Sequence, residues 1–304
     1  MRPHAKSIAS GLAAIALWSW SFALSRAVVE RLGVLTAAAA VCLIAGAAGT
    51  VVSLLAGWHR PALARLSRSR IAILCLLFAG YQAAVYGALG TARGRESFLA
   101  VTVVNYLWPG LTVAFAIPLL GRPFRWPLVP GLALAFGGVL LGTFAGGGAA
   151  AGLAAGLRAN LLPYGLALAA AVAWALYSNL VARWAKEAGS GLVPFYFLAA
   201  GLALAPFALR EPAAAWGGGA VAELLAQALA VTLAGYLAWD HSMRRRESEL
   251  IPALAHLIPL PSITVSAAYL DIPVGWEIFA AAALVVAGSA ICWRAVALPR
   301  AGGR

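Results

Sequence analysis

Charged residues divide this chain into ten apolar segments. Their approximate limits are residues 8–27, 33–57, 71–91, 97–120, 126–146, 160–182, 192–209, 222–242, 249–270 and 275–297. A helix that crosses a bilayer needs about 20 predominantly apolar residues, which is close to the length of each segment. The connections are short, so consecutive helices should be antiparallel neighbours. The pattern predicts an all-α polytopic membrane protein with ten transmembrane helices.

Composition supports the same fold class, since 63% of the 304 residues are hydrophobic and only 11% are charged. A soluble protein of this size carries more charged surface. The net charge of +12 does not indicate a nucleic-acid partner, because the basic residues are distributed over short loops. The expected surroundings are the lipid bilayer. The three cysteines lie in different apolar segments without metal-ligand spacing, so no metal site or cofactor is predicted: Cys42, Cys75 and Cys292.

The orientation follows from lysine and arginine residues, which are enriched in cytoplasmic loops. With the N-terminus in the cytoplasm, 16 of the 22 basic residues lie in cytoplasmic segments and 6 lie on the opposite side. Both termini are therefore expected to be cytoplasmic.

An internal repeat relates the two halves of the chain. Arg246 follows Arg95 by 151 residues, and Gly288 follows Gly138 by 150 residues. A glycine- and alanine-rich bridge at residues 147–158 separates a first five-helix repeat, residues 1–146, from a second, residues 159–304. Because five is odd, the repeats should have inverted topology. Inverted repeats are typical of alternating-access carriers, whose binding sites lie near the midplane beside broken helices.

Two segments are expected to be broken by proline. Pro109 lies in the middle of the fourth segment, and Pro252, Pro259 and Pro261 lie in the ninth. Proline lacks a backbone N–H and clashes with the preceding helical turn. These bends could act in gating, with Pro109, Pro252 and Pro259 as the candidates, or they could be structural kinks only.

At these residues the sequence resembles the drug/metabolite transporter superfamily, EamA-type. The apolar-proline element occurs in segments four and nine, glycines recur in segments five and ten, and segments one and six are rich in tryptophan. The aromatic content is similar to that of the YddG-type aromatic amino acid exporters. The resemblance implies a multi-pass protein of the bacterial inner membrane that works as a monomer. A glutamate usual in that family after the fourth and ninth helices is replaced here by Gly121-Arg122-Pro123 and Asp271-Ile272-Pro273.

The candidate substrate-binding residues are neutral, because no charged residue lies in a segment away from its ends. Most are aromatic residues away from the predicted ends, which suggests either packed or lipid-facing bulk or a cavity that stacks on an aromatic substrate. The candidates are Trp18, Tyr81, Tyr86, Asn105, Tyr106, Trp108, Trp174, Tyr177 and His256. The amide of Asn105 could join two helices or contact substrate. His256, at the matching position of the second half, is the one titratable group near the midplane.

The favoured function is a carrier for aromatic and other neutral, largely apolar amino acids, working physiologically in export. An efflux carrier for other small hydrophobic solutes is the alternative within the same class. An intramembrane enzyme would need a nucleophile–base pair or metal ligands, and no HExxH or GxSxG motif occurs. A structural or receptor-like role is disfavoured by the repeat. Without a midplane carboxylate, facilitated diffusion is expected, although a proton could still travel through His256, water or a substrate carboxyl.

Overall fold

The helices follow the apolar segments of the sequence, because backbone groups in lipid must be satisfied within the chain itself. The computed structural model describes residues 3–146, 161–185, 191–212, 214, 216–244 and 254–297, and this part contains helices and no strand. In the first half the helices are α1 (Pro3–Ser19), α2 (Ser21–Leu32), α3 (Val34–Leu55), α4 (Arg60–Arg65), α5 (Arg68–Thr91), α6 (Gly94–Asn105), α7 (Trp108–Leu120) and α8 (Leu128–Gly146).

The second half begins with α9 (Leu161–Trp184) and continues with α10 (Val193–Ala208), α11 (Gly218–Leu225), a π-helix (Ala226–Ala234), α12 (Gly235–Arg244), α13 (Pro259–Tyr269) and α14 (Trp276–Ala297). The Gly/Ala-rich bridge predicted at residues 147–158 lies outside the described residues, as does Pro252.

Seven helical runs within the described residues are long and apolar enough to cross a membrane. Two further apolar helices, Leu128–Thr143 and Val193–Ala208, are shorter. The prediction of an all-α, multi-pass membrane protein is therefore confirmed. The seven runs are Ser7–Leu32, Val34–Leu55, Arg68–Thr91, Ser97–Leu120, Leu161–Trp184, Gly218–Trp239 and Trp276–Ala295.

The first membrane helix is longer than its apolar segment suggests. It was expected to end near residue 27, but α2 continues to Leu32 and buries the guanidinium of Arg26. Arg26 is accommodated because its Nε lies 2.8 Å from Oε1 of Glu30, one helical turn later, and its Nη1 donates to the carbonyl of Leu89. A buried cation is tolerated only when it is paired in this way.

The fourth apolar segment is interrupted where proline was expected to bend it. Helix α6 ends at Asn105 and α7 begins at Trp108, with Tyr106 and Leu107 in a turn. Pro109 has no N–H to donate to the carbonyl of Asn105, four residues earlier, so the regular ladder cannot continue through this point. The turn is closed instead by Leu107 N, which donates to the carbonyl of Val104 at 3.1 Å.

The ninth apolar segment has an equivalent break. Residues 256–258 form a turn and α13 begins at Pro259. Ile258 N donates to the carbonyl of Ala255 at 3.2 Å, which supplies the hydrogen bond that Pro259 cannot make. The break therefore has the same proline-based cause in both halves.

Helix packing pairs elements of the first half with elements of the second. The most extensive contacts join α3 to α10, α8 to α14, α5 to α9 and α7 to α9, followed by α1 to α12. Small residues make some of this close approach possible, as membrane helices generally require. A Cβ on Gly138 of α8 would come 2.6 Å from the carbonyl oxygen of Ala281 of α14, and one on Gly288 would meet the carbonyl oxygen of Gly131.

The helix pairs α1–α12 and α2–α11 form one antiparallel face. At one end the hydroxyl of Ser10 donates to the carbonyl of Ala238 at 2.8 Å. At the other end Nε of Arg31 lies 2.8 Å from Oε2 of Glu223, and the hydroxyl of Tyr269 donates to Oε1 of Glu223 at 2.9 Å. These contacts determine which residues of α1–α2 and of α11–α12 lie at the same depth.

Candidate functional site

A cavity of about 340 Å³ lies between the two halves of the protein. Every broken or irregular helix contributes to its wall: α1 and α2, the α6–α7 turn, the π-helix and the turn before α13. Helices α5, α9, α10 and α12 complete it. Seven of the nine predicted substrate-binding residues line this one cavity: Trp18, Tyr81, Tyr86, Asn105, Tyr106, Trp108 and Trp174.

Trp174 is the centre of the aromatic wall. Its ring centroid lies 4.8 Å from that of Tyr81, 6.3 Å from that of Trp108 and 6.3 Å from that of Tyr236. The rings of Trp108 and Trp174 meet edge to face, at an interplanar angle of 79°. Aromatic groups in such tilted and edge-on arrangements leave ring faces and edges available to a further aromatic group.

Two aromatic contacts in the wall are equivalent in the two halves. Trp174 contacts Tyr81, and Trp18 contacts Tyr236 with ring centroids 5.4 Å apart. Trp174 follows Trp18 by 156 residues, and Tyr236 follows Tyr81 by 155 residues. Each pair thus joins a tryptophan of one half of the chain to a tyrosine of the other half.

Two of the predicted residues lie outside the cavity wall. Tyr177 is buried on the other flank of α9, where its ring lies 5.4 Å from that of Phe78 and 6.3 Å from that of Tyr196. The imidazole of His256 lies 6.2 Å from the Trp293 ring, and its Nδ1 is buried without a hydrogen-bond partner among the described residues. Its neighbour Ala255 lines the cavity instead.

The predicted gating residues flank the wall rather than form it. Pro109 follows the cavity residue Trp108, and Pro259 follows the cavity residue Ile258. Both prolines are buried at the first turn of their helices.

The cavity is electrically neutral, since no Asp, Glu, Lys, Arg or His occurs among the described residues that line it. Its polarity comes from tyrosine hydroxyls and indoles and from a small set of other neutral side chains: Ser21, Ser25, Gln82, Asn105, Ser178, Gln227 and Thr232. Neutral polar side chains can hydrogen-bond a zwitterion, which carries one positive and one negative group. They cannot neutralise a substrate that carries a net charge.

Asn105 serves the helix-joining role that was one of its two predicted possibilities. Its Nδ2 donates to the carbonyl of Ala167 on α9 at 3.5 Å, which links α6 to α9. The same side chain lines the cavity, so contact with substrate stays open as well.

Several cavity residues were missed by sequence reasoning. Gln227 is an amide inside an apolar run, the same signal that singled out Asn105. Tyr236 could have been found from its spacing of 155 residues from Tyr81, close to the spacing of the predicted repeat. Phe22 and Trp239 carry no comparable signal, because both lie near the charged ends of their segments.

The described residues contain no group of three or more His, Cys, Asp or Glu side chains that could hold a metal ion. Cys42 and Cys292 are buried and Cys75 is half-buried, each as a free thiol.

Comparison with known proteins shows the family of the chain. Residues 5–144 match the model of the EamA-like transporter family. The aromatic amino acid exporter YddG of Salmonella typhimurium (strain 14028s / SGSC 2262) is 30% identical over 293 residues, which cover 95% of this chain and 97% of that protein. The chain belongs to the EamA-like transporter family. It is accordingly a membrane transporter and not an enzyme.

Other members and one solved structure extend the likeness over the whole chain. The aromatic amino acid exporter YddG of Escherichia coli (strain K12) is 29% identical over 292 residues, which cover 95% of this transporter and 97% of that protein. YddG of Ancylobacter novellus is 30% identical over 215 residues, covering 70% and 71% of the two chains. A protein crystal structure with 25% sequence identity superposes with a TM-score of 0.68 over 96% of this transporter and 98% of that chain.

Proposed function

We propose that this transporter exports aromatic and other neutral, largely apolar amino acids. The observation that carries the proposal is the central cavity, whose wall is aromatic and carries no charged side chain among its described residues. Aromatic side chains of a substrate would stack on Trp174, Trp108 and Tyr81. A zwitterion has no net charge, so a cavity without charged side chains can hold it if neutral groups hydrogen-bond its ammonium and carboxylate.

The size of the cavity fits one such molecule. Its volume of about 340 Å³ lies near the lower end of small-molecule pockets, which span roughly 300–1,000 Å³. The relatives named as aromatic amino acid exporters support the same substrate class.

We further propose that ten transmembrane helices form two inverted five-helix repeats, residues 1–146 and 159–304, joined by residues 147–158. Reciprocal helix contacts support this arrangement. The pairs α3–α10 and α8–α14 each join a helix to its repeat counterpart, and the pair α5–α9 has its counterpart in α12–α1. Exchange of the halves therefore relates these contacts to one another, as expected for two related halves of an alternating-access carrier.

Both termini are proposed to lie in the cytoplasm of a bacterial inner-membrane protein, with one chain sufficient for transport. One chain would suffice because residues from both of its halves line the cavity. Reporter fusions after Ser67 and after Gly147 test the topology, since these positions lie an odd number of proposed helices apart. Signals from opposite sides of the membrane are expected, and signals from the same side would eliminate the inverted repeat.

The transport proposal is tested with purified protein in proteoliposomes. Vesicles preloaded with labelled phenylalanine, tryptophan, leucine, lysine or glutamate should release the first three faster than protein-free vesicles do. Lysine and glutamate, which carry a net charge, should be released at the protein-free rate. Equal release of all five, or of none, would contradict the proposal.

A further inference from the structure

Three neutral polar side chains form a cluster at one end of the cavity. Tyr86 on α5, Ser25 on α2 and Gln227 on the π-helix each expose only 3% of their surface, and all three line the cavity. The Tyr86 hydroxyl lies beside the side chains of Ser25 and Gln227. The cluster thus combines two hydroxyl groups and an amide from three different helices.

The contacts within the cluster fall short of regular hydrogen bonds. The hydroxyl oxygen of Tyr86 and Oε1 of Gln227 are buried, and neither has a hydrogen-bond partner of good geometry among the described residues. A buried polar atom without a partner is costly, and such atoms are rare in folded proteins. Tyr86 approaches Ser25 and Gln227 without aligning as donor and acceptor, so both atoms remain able to bind a molecule in the cavity.

All three residues lie toward the same end of the cavity. Helices α1–α2 and α11–α12 are antiparallel, as the contacts Ser10–Ala238, Trp18–Tyr236 and Arg31–Glu223 show in succession. In this series Ser25 and Gln227 both fall between the aromatic pair and the ion pair. The polar cluster is therefore a separate layer next to the aromatic one.

The spacing on α5 gives the distance between the two layers. Tyr86 follows Tyr81 by five residues, which corresponds to about 7.5 Å along a helix at 1.5 Å per residue. This is comparable to the length of phenylalanine from its ammonium group to the far edge of its ring. One molecule can therefore contact both layers.

The π-helix contributes to the position of Gln227. The hydrogen bonds of a π-helix skip one more residue than those of an α-helix, and such segments are frequent at functional sites. Here the π-helix spans Ala226–Ala234 and presents Gln227, Val231 and Thr232 to the cavity. An uninterrupted α-helix would turn these side chains to a different set of directions.

We propose that Ser25, Tyr86 and Gln227 bind the α-ammonium and α-carboxylate groups of the transported amino acid. Oε1 of Gln227 accepts from the ammonium group, because an amide oxygen can only accept. The hydroxyl groups of Tyr86 and Ser25 donate to the carboxylate. The side chain of the substrate then extends into the aromatic layer. This assignment depends on the proposed function and identifies which residues require an amino acid rather than any aromatic solute.

Analogues that lack one charged group test the assignment. Binding to the purified protein in nanodiscs is measured for phenylalanine, for phenethylamine, which lacks the carboxylate, and for 3-phenylpropionate, which lacks the ammonium group. The wild type should prefer phenylalanine to each analogue by about tenfold or more, as expected for loss of a hydrogen bond to a charged group.

The variants separate the two contacts. Gln227→Leu should remove most of the preference for phenylalanine over 3-phenylpropionate, and Tyr86→Phe should remove most of the preference over phenethylamine. Gln227→Glu retains an acceptor and adds a negative charge, so it should bind phenethylamine more tightly than the wild type does. Ser289→Ala is the control, because its buried hydroxyl also lacks a partner among the described residues but lies outside the cavity wall.

Folding is checked by size-exclusion chromatography and thermal unfolding, and the isosteric Tyr86→Phe and Gln227→Glu variants suffice if Gln227→Leu does not fold. Unchanged analogue preferences in folded variants would overturn the assignment and leave the cluster as packing. If the wild type transports amino acids in that case, the proposed function survives. A wild type that binds and transports none of them overturns both.

Discussion

Gly46 of α3 packs directly against Leu198 of α10: a Cβ on this glycine would overlap the Leu198 amide nitrogen. The same contact occurs a second time with the halves exchanged. A Cβ on Gly201 would come 2.7 Å from the amide nitrogen of Leu43. Gly201 follows Gly46, and Leu198 follows Leu43, by 155 residues each. A pair of reciprocal contacts is what a two-fold relation between repeats produces, and it supports the proposed inverted repeat.

Substitution of either glycine should therefore destabilise the contact between halves. Gly46→Ala is expected to cost about 1–3 kcal/mol, the usual range for overpacking, because the backbone of Leu198 has no rotamer with which to move away. Thermal unfolding in detergent measures the effect. Gly165→Ala on α9 is the matched control, since no atom outside its own helix lies within 4 Å of the added methyl group. Equal melting temperatures for both variants would contradict the packing argument.

The aromatic wall should contribute to substrate affinity. Trp108→Ala removes a ring that lines the cavity and contacts Trp174 at 6.3 Å. Loss of one aromatic contact is worth about 0.5–1.5 kcal/mol beyond area burial, so the affinity for tryptophan should fall about two- to tenfold or more. Binding to purified protein measures this. Trp126→Ala, at a residue that is 72% exposed and is not among the residues of the wall, should leave affinity unchanged. An equal fall in both variants would remove Trp108 from the site.

Much of the architecture could be predicted because it depends on local patterns. The apolar segments predicted the helices, and the missing N–H groups of Pro109 and Pro259 predicted the two helix breaks. The predicted end of the first membrane helix, near residue 27, was wrong. The contacts of Arg26 with Leu89 and Glu30 keep this cation inside the helix bundle, and the helix continues to Leu32.

The placement of individual site residues was less predictable. Trp174 and Tyr177 lie three residues apart, but α9 packs on two sides, and Tyr177 points to α5 and α10 instead of the cavity. For His256, the turn at residues 256–258 interrupts the helical period, so its repeat position did not fix the direction of its side chain. Such directions depend on packing between distant helices, which no local pattern records.

The proline breaks are expected to act in conformational change. Broken segments beside the cavity are natural hinges, because few backbone hydrogen bonds must be exchanged there. Pro109→Ala restores an N–H for the carbonyl of Asn105 and should favour one facing state. In a background without the three native cysteines, Ser178→Cys in the cavity wall reports accessibility to a membrane-impermeant thiol reagent. The rate of labelling should change at least severalfold. Unchanged labelling together with normal transport would make Pro109 a packing residue only.

Glu211 should make stability depend on pH. Glu211 lies in the loop between α10 and α11. Its carboxylate accepts from Leu35 N at 2.9 Å and from Thr36 N at 2.8 Å, and so caps the N-terminus of α3. Partial burial raises the pKa of Glu211, but these backbone hydrogen bonds and that from the Thr36 hydroxyl outweigh it, so the pKa lies below its ordinary value of 4.5. A lowered pKa means that the contribution to stability is complete above pH 4.5 and is lost as the pH falls through the folded-state pKa.

Glu211→Gln should therefore lower the melting temperature at pH 7, by an amount equivalent to about 0.3–1 kcal/mol for a charge at a helix N-terminus. The difference from the wild type should shrink steadily as the pH falls below 4.5, because protonation removes the same charge from the wild type. Thermal unfolding in detergent across this range measures both trends. A difference that is independent of pH would show that the carboxylate charge does not stabilise the cap.

Transport is expected to follow the amino-acid gradient without a proton. The described part of the cavity wall has no titratable carboxylate or imidazole, and His256 lies outside it. Its Nδ1 has no hydrogen-bond partner among the described residues, so no neighbouring group there is placed to exchange a proton with it in each cycle. A zwitterion, in turn, moves no net charge across the membrane. Proteoliposomes with equal phenylalanine on both sides should therefore show no accumulation when a pH gradient is imposed. Accumulation that appears with the gradient and disappears in His256→Ala would instead establish proton coupling through this histidine, whereas accumulation that persists in His256→Ala would indicate a proton path through water or the substrate.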